Sequence, residues 1–324
     1  MNCLDLQLDL FPCPIALRRD KSLLSVPTVV SIIQEQTTQR KKLIKKIQKL
    51  TRSKLITYTA NPNISPNFID HNDVRFFSDL LQSTGDTDKL ILMLNSPGGE
   101  ANMAEKLAKM CRDYCKNFRV LVPNYAMSAA TMIALASDAI MMGYLSSIGP
   151  IDPQIRVVTP RGDFQFIPAQ SYIDSFRGLV QQIIGGVPPK ALIPSLQQLN
   201  PPIIDVCLKA IESSKKFAEE WLSRYMLKNN PEKAKEIAEA LSDVNRWLSH
   251  GKNIDRDTAE ELGLVIEKIP KDSELWLAVW DLFNRQEHFL NTTNNIKIFE
   301  NEKIQLNLSV LAMIGRPPPA PAPG

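Results

Sequence analysis

Along this chain the spacing of apolar positions switches from helical to strand-like, alternates through the first half, and turns mostly helical in the second. Over residues 28–53, Val30, Ile33, Leu43, Ile44 and Ile47 recur at helical spacing. Arg40, Lys41, Lys42, Lys45, Lys46 and Lys49 fill the other positions, so the pattern predicts one amphipathic helix with a solvated basic face. Residues 54–60 form a short β-rich run, a helix follows near 72–83, and 89–95 is an uninterrupted apolar strand. The turn Ser96-Pro-Gly-Gly99 then opens a helix over 100–116, with Ala101, Ala104, Leu107, Ala108 and Cys111 at core spacing. A strand at 118–123, a helix at 128–136 and a strand at 139–142 continue the alternation. Apolar strands separated by helices imply a parallel sheet covered on both faces.

The second half reads as helices over 171–184, 202–228 and 231–241. A turn, a helix near 257–262 and a strand follow, and then a helix over 272–289. Pro201 and Pro202 stand where a helix start tolerates proline. The expected organisation is an N-terminal segment and helix (1–53), an α/β core (54–270) and a C-terminal helix with an extension (271–316). The last stretch, 317–324, holds five prolines and is expected to be a disordered tail.

Composition narrows the function classes. A chain of 324 residues with 44% hydrophobic and 23% charged residues buries a proper core, which excludes disordered, fibrous and disulfide-scaffold classes. A net charge of +3 is not the footprint of a nucleic-acid binder. The first twenty residues lack a basic n-region and carry Pro12 and Pro14, so no signal peptide is expected, and no apolar window reaches spanning length. Five scattered cysteines (3, 13, 111, 115 and 207) fit a reduced cytoplasm, with Cys111 and Cys115 read as buried thiols. Three histidines, no C-x-x-C pair and no glycine-rich phosphate loop leave metals and nucleotide cofactors without support, so none is expected.

Two segments carry chemistry. Asn95-Ser-Pro-Gly-Gly99 ends a strand and opens a helix, which exposes backbone N–H groups suited to an oxyanion. Alone, it also reads as an ordinary βα turn. Ser128, flanked by Met127, Ala129 and Ala130, starts an apolar helix and reads either as a nucleophile or as an N-cap. Taken together they are less ambiguous. Gly99 and Ser128 lie 29 residues apart at the ends of adjacent parallel strands, and both loops open at the carboxyl edge where α/β sheets bind ligands.

This arrangement resembles the Clp protease proteolytic subunit and signal peptide peptidase A, within the Clp/crotonase superfamily. More narrowly it resembles the serine dehydrogenase proteinase family. That likeness rests on Leu94-Asn-Ser-Pro-Gly-Gly99, Val122-Pro-Asn-Tyr-Ala-Met-Ser-Ala-Ala-Thr131, Asp138-Ala-Ile-Met-Met-Gly143 and Ser146-Ser-Ile-Gly-Pro-Ile-Asp-Pro-Gln154, and covers roughly 35–270. The resemblance implies a Clp/crotonase-like spiral of ββα units around a parallel sheet, with an N-terminal helix and C-terminal helical additions. It implies an intracellular serine peptidase without a cofactor, acting on peptide or protein substrates and assembling as a homo-oligomer. By position, Ser128 matches the nucleophile, and the N–H groups of Gly99 and Ala129 match the oxyanion hole.

A serine nucleophile needs a base, and here several candidates stand open. Asp152 falls near the place of the Clp histidine, and no histidine occurs between 72 and 249. A lysine base of the signal peptide peptidase kind points to Lys190, ahead of the 202–228 helix, with Lys209 and Lys215 as alternatives. His250, in Trp247-Leu-Ser-His-Gly-Lys-Asn-Ile254, is a further candidate, as base or as support. Two other readings compete with the peptidase. One is a crotonase-type enzyme acting on acyl-thioesters, and the other is an assembly scaffold that has lost its base.

Overall fold

A computed structural model describes residues 29–158 and 164–309. Helix α1 (Val29–Thr51) leads into β1 (Lys54–Ala60), α2 (Asp73–Thr84), β2 (Thr87–Asn95), α3 (Ala101–Asp113) and β3 (Cys115–Val122). Next come β4 (Tyr125–Ala126), α4 (Ala129–Leu135), β5 (Ala139–Met142), β6 (Ser147–Ile148), and a hairpin of β7 (Gln154–Val158) and β8 (Phe164–Pro168). Four helices follow: α5 (Ala169–Ile184), α6 (Pro189–Leu196), α7 (Pro201–Arg224) and α8 (Pro231–Ser242). The chain closes with α9 (Val244–Trp247), β9 (Ile254–Asp255), α10 (Arg256–Leu262), β10 (Ile266–Lys268), α11 (Glu274–Thr292), β11 (Asn295–Glu300) and β12 (Gln305–Ser309).

The main sheet has seven strands in the order β10-β5-β3-β2-β1-β11-β12. The first five run parallel, and β11 and β12 join antiparallel. Strand β2 shows why its sequence is apolar without interruption. Leu90, Leu92 and Leu94 belong to one core cluster with residues of α2, α3, α4, α7 and α8, whereas Ile91 and Met93 belong to a second with α1 and α11. Both faces of a central parallel strand are dry, so polar alternation has no place there.

Three departures from the sequence pattern have physical causes. Arg40 does not solvate the α1 surface: it is fully buried. Its Nε donates to Glu300 at 2.9 Å, one terminal nitrogen donates to Gln305 at 2.8 Å, and the guanidinium lies over Phe289. A helical wheel assigns every basic residue to water; here the terminal hairpin β11–β12 brings a carboxylate to meet one of them. That hairpin, where an extension was expected, is the second departure. The third is the end of α7 at Arg224, four residues early, where Tyr225 leaves helical geometry and its ring stacks on the Arg112 guanidinium at 3.6 Å. Cys111 and Cys207 are buried and Cys115 partly so; all three are free thiols. Burial raises each of them, Cys115 up to about 11. Cys3, Cys13 and the Pro-rich tail lie outside the described residues.

Removing one partner of a buried ion pair leaves the other charged and dry. Arg40→Leu should therefore lower the unfolding free energy by about 3–5 kcal/mol. Lys45→Leu, on the exposed face of the same helix, should stay within about 0.5 kcal/mol. Urea melts of the two variants check the contrast, and similar midpoints would contradict it.

Candidate active site

Three very short strands decide which loops meet. Strand β6 pairs parallel with β4 and antiparallel with β9, in the register Tyr125↔Ser147↔Asp255 and Ala126↔Ile148↔Ile254. Moving forward from β4 and β6, and backward from β9, therefore leads to the same end of this small sheet. Ser128 lies two residues beyond Ala126, Asp152 four beyond Ile148, and His250 four before Ile254. A parallel bridge between Ser96 and Ala126 adds the glycine turn, so Gly99, three beyond Ser96, leaves at that end too. Thr131 ties two of the loops together: its Oγ1 lies 2.7 Å from the Ala126 carbonyl and accepts from Gly149 N–H at 3.0 Å.

Ser128 sits at φ +50°, ψ −118°, and its hydroxyl makes no capping bond to α4. Ser128 therefore stands at the N-cap position of α4 with a hydroxyl that does not cap it. A non-glycine residue in this region costs of order 1–3 kcal/mol and persists only where both flanks hold it. Here Met127 N–H donates to Ser96 O at 3.0 Å on one side, and Met132 N–H donates to Ser128 O at 3.1 Å on the other. This sharp turn projects the serine out of the chain, as in nucleophile elbows generally.

The glycine turn is equally constrained. Gly98 has φ +104°, and a Cβ there would stand 2.6 Å from Met127 O and 2.8 Å from Ser128 Cβ. Gly99 has φ +148°, and a Cβ there would stand 2.3 Å from Ile69 O. Ile69 brackets the turn, its N–H donating to Gly98 O at 2.7 Å and its carbonyl accepting from Glu100 N–H at 2.9 Å. In a trans peptide the C=O and the next N–H point opposite ways, so the Gly99 N–H is directed away from Ile69. Among the described residues, neither the Gly99 nor the Ala129 N–H donates to a protein acceptor.

A cavity of about 470 Å³ opens on these groups. Gly99, Ser128, Ala129 and His250 all line it, with Phe68, Met132, Ile151 and Phe166 supplying apolar walls. His250 Nδ1 lies 2.9 Å from Asp152 Oδ1, and the Asp152 side chain is 3% exposed. The other carboxylate oxygen has no hydrogen-bond partner among the described residues, so no second donor competes for this charge. Asp152 itself is absent from the cavity lining, which His250 reaches.

The other candidates lie elsewhere. Lys190 is exposed near the start of α6 and is absent from the cavity lining. The expectation of a desolvated lysine there fails to find its burial, because α6 buries none of its residues. Lys209 is exposed and bonds Asp205 at 2.6 Å; Lys215 is half-buried on α7 and is also absent from the lining. Sequence reasoning missed Ser214, which is buried on α7 and lines the cavity. Its signal was available: it occupies an apolar position in the series Cys207, Ser214, Phe217, Ala218 and Trp221. Phe68 and Phe166, in loop and hairpin, carried no such signal.

The fold and the site define an open α/β protein with a serine-bearing cavity at the carboxyl edge of its strands. Residues 20–176 match the family model described as ClpP-like SDH-type serine proteinase, and the resemblance drawn from the motifs holds over that segment. Two uncharacterized proteins of Methanocaldococcus jannaschii are similar. One is 32% identical over 182 residues, covering 56% of this chain and 54% of that protein. The other is 28% identical over 228 residues, covering 70% and 68%. The chain therefore spans about half the length of the first relative and about two thirds of the second. Among solved structures, a mutant of the 1510-N membrane-bound stomatin-specific protease overlaps with a TM-score of 0.39 at 18% identity, covering 65% of this chain and 79% of that one. A second mutant of that protease, in complex with a substrate peptide, overlaps at 0.30 and 17% identity, covering 67% and 94%. These overlaps are too loose to align site residues.

Proposed function

We propose that this chain is a serine-type peptidase in which Ser128 is the nucleophile, His250 the general base and Asp152 the carboxylate that orients it. The observation that carries the reading is the convergence of these groups. A serine in a left-handed turn, with its hydroxyl unused for capping, shares one cavity with an imidazole already bonded to a buried carboxylate. The match of residues 20–176 to a serine proteinase family supports the reaction class.

In this reading the substrate carbonyl lies against Ser128 Oγ, with its oxygen facing the N–H groups of Gly99 and Ala129. Asp152 accepts the Nδ1–H of His250, which leaves Nε2 to take the hydroxyl proton. As Oγ bonds to the carbonyl carbon, the oxygen becomes an oxyanion held by the two amides. Collapse of the tetrahedral species passes the proton from the imidazole to the leaving amine and leaves an acyl-enzyme. Water, deprotonated by the same imidazole, then releases the acid and restores the serine. This scheme calls for no cofactor.

The reading extends to setting and assembly. Free Cys111, Cys115 and Cys207 suit a reducing, cytoplasmic compartment, and among the described residues no helix is long and apolar enough to cross a membrane. Exposed Val158, Phe166, Ile184, Val206 and Leu208 on β7, β8, α5 and α7 favour self-association. Light scattering should give a mass well above the monomer's 36.4 kDa, and a monomer would end that part of the proposal.

A fluorophosphonate probe should label the protein, and peptide mass spectrometry should place the adduct on Ser128. Ser128→Ala should abolish both labelling and peptidase turnover without lowering the melting temperature. Lys190→Ala should label within about twofold of wild type, as expected of a residue outside the cavity. An adduct on another residue, or a Lys190→Ala protein that no longer labels, would overturn the assignment.

A further inference from the structure

We propose that Lys297, a buried lysine on β11 outside the cavity lining, is a positioning residue for the oxyanion hole, acting through Ile69 on the Gly99 amide. The inference rests on the peptidase reading of Ser128 and Gly99, and it involves a residue well beyond the segment that matches the family.

The geometry is a short chain of contacts. Lys297 is fully buried. Its Nζ donates to the Phe68 carbonyl at 2.7 Å and to the two Asp73 carboxylate oxygens at 2.8 and 3.0 Å, with Asp70 Oδ2 at 3.6 Å. Asp73 Oδ2 in turn accepts from the Asp70 N–H at 3.1 Å and from the Tyr58 hydroxyl at 3.0 Å. Burial, more than the nearby Asp73 charge, holds the Tyr58 hydroxyl well above its usual range, so it stays a donor. Lys297 and Asp73 therefore fasten residues 68 and 70 on both sides of Ile69. Ile69 fastens the glycine turn on both sides of Gly99, through Gly98 O and Glu100 N.

A buried ion pair in that position is costly to assemble and is weak evidence for stability. What it supplies here is a fixed loop. The 68–72 stretch belongs to no helix or strand, so the bonds from Lys297 and Asp73 hold the residues on either side of Ile69. Ile69 in turn sets the peptide plane that directs the Gly99 N–H, alongside the bond from Gly98 N–H to Ser96 Oγ at 3.2 Å. An oxyanion donor contributes only when held in place, and misplacement by about 1 Å can cost 10²-fold in rate.

The test uses the full chain and a fluorophosphonate probe, measuring the maximal labelling rate constant separately from the probe concentration at half-maximal rate. Lys297→Met/Asp73→Asn removes the ion pair and leaves the Asp70 carboxylate, which keeps its bond from the Asn72 N–H at 2.7 Å. This variant should label with a rate constant about 10- to 100-fold below wild type, at an unchanged half-maximal concentration. A purely structural role would lower the fraction of protein that labels, read as amplitude, and leave the rate constant of the folded fraction unchanged. That outcome overturns the proposal. If the double variant does not fold, Tyr58→Phe deletes one oxygen from the same network. It should slow labelling a few-fold at full amplitude, and a wild-type rate there counts against the proposal in the same way. Failure of the peptidase reading is distinguishable, because wild-type protein would then not label at Ser128 at all.

Discussion

The register of a three-strand sheet only two residues deep holds the candidate site together. Because β4, β6 and β9 pair as they do, three loops from distant parts of the chain leave the sheet at one end. A shift of one residue in the β6–β9 pairing would turn the β9 side chains to the opposite face and separate His250 from Asp152, and a shift in the β4–β6 pairing would displace the Ser128 loop from both. So small a ladder could not persist alone. It persists because the Ser96–Ala126 bridge joins it to the end of β2, and because Ile148 and Ile254 are buried in the same core as the main sheet.

The seven-strand sheet supplies the rigid base for this arrangement. Its central strands are dry on both faces, so the positions of Asn95 and Val122, where the two chemical loops begin, are set by packing. Strain is then confined to a few residues at the edge. Ser128 and the two glycines adopt left-handed conformations that the loops alone would not choose, and each is held by backbone hydrogen bonds from both flanks. At the β11–β12 edge of the sheet, buried charged groups join the terminal hairpin to the rest: Arg40 to Glu300, and Lys297 to Asp73. The hairpin therefore contributes to the region around the site although it lies outside the matched family segment.

Much of this was legible in the sequence, and the limits follow from what each signal can report. Periodicity located β1, β2, β3, β5 and most helices, because a fully apolar run or a helical stripe is a local property. The motifs around Gly99 and Ser128 suggested adjacency because both segments end neighbouring parallel strands. The His250–Asp152 contact was not legible, since it joins residues 98 positions apart through a two-residue antiparallel pairing that leaves no periodic trace. Lys190 looked suitable because a lysine ahead of a helix is a local feature, whereas its exposure is a property of the assembled fold. Arg40 failed for the same reason in reverse: its partner, Glu300, comes 260 residues later.

The most direct test of the central claim is chemical rescue at position 250. His250→Ala removes the imidazole and leaves a space lined by Asp152 and the cavity. Fluorophosphonate labelling of this variant should be slowed by about 10²- to 10⁴-fold, and added imidazole should restore part of the rate in a concentration-dependent way. Labelling at the wild-type rate without imidazole would show that Ser128 is activated by some other group, and the account of this site would be wrong.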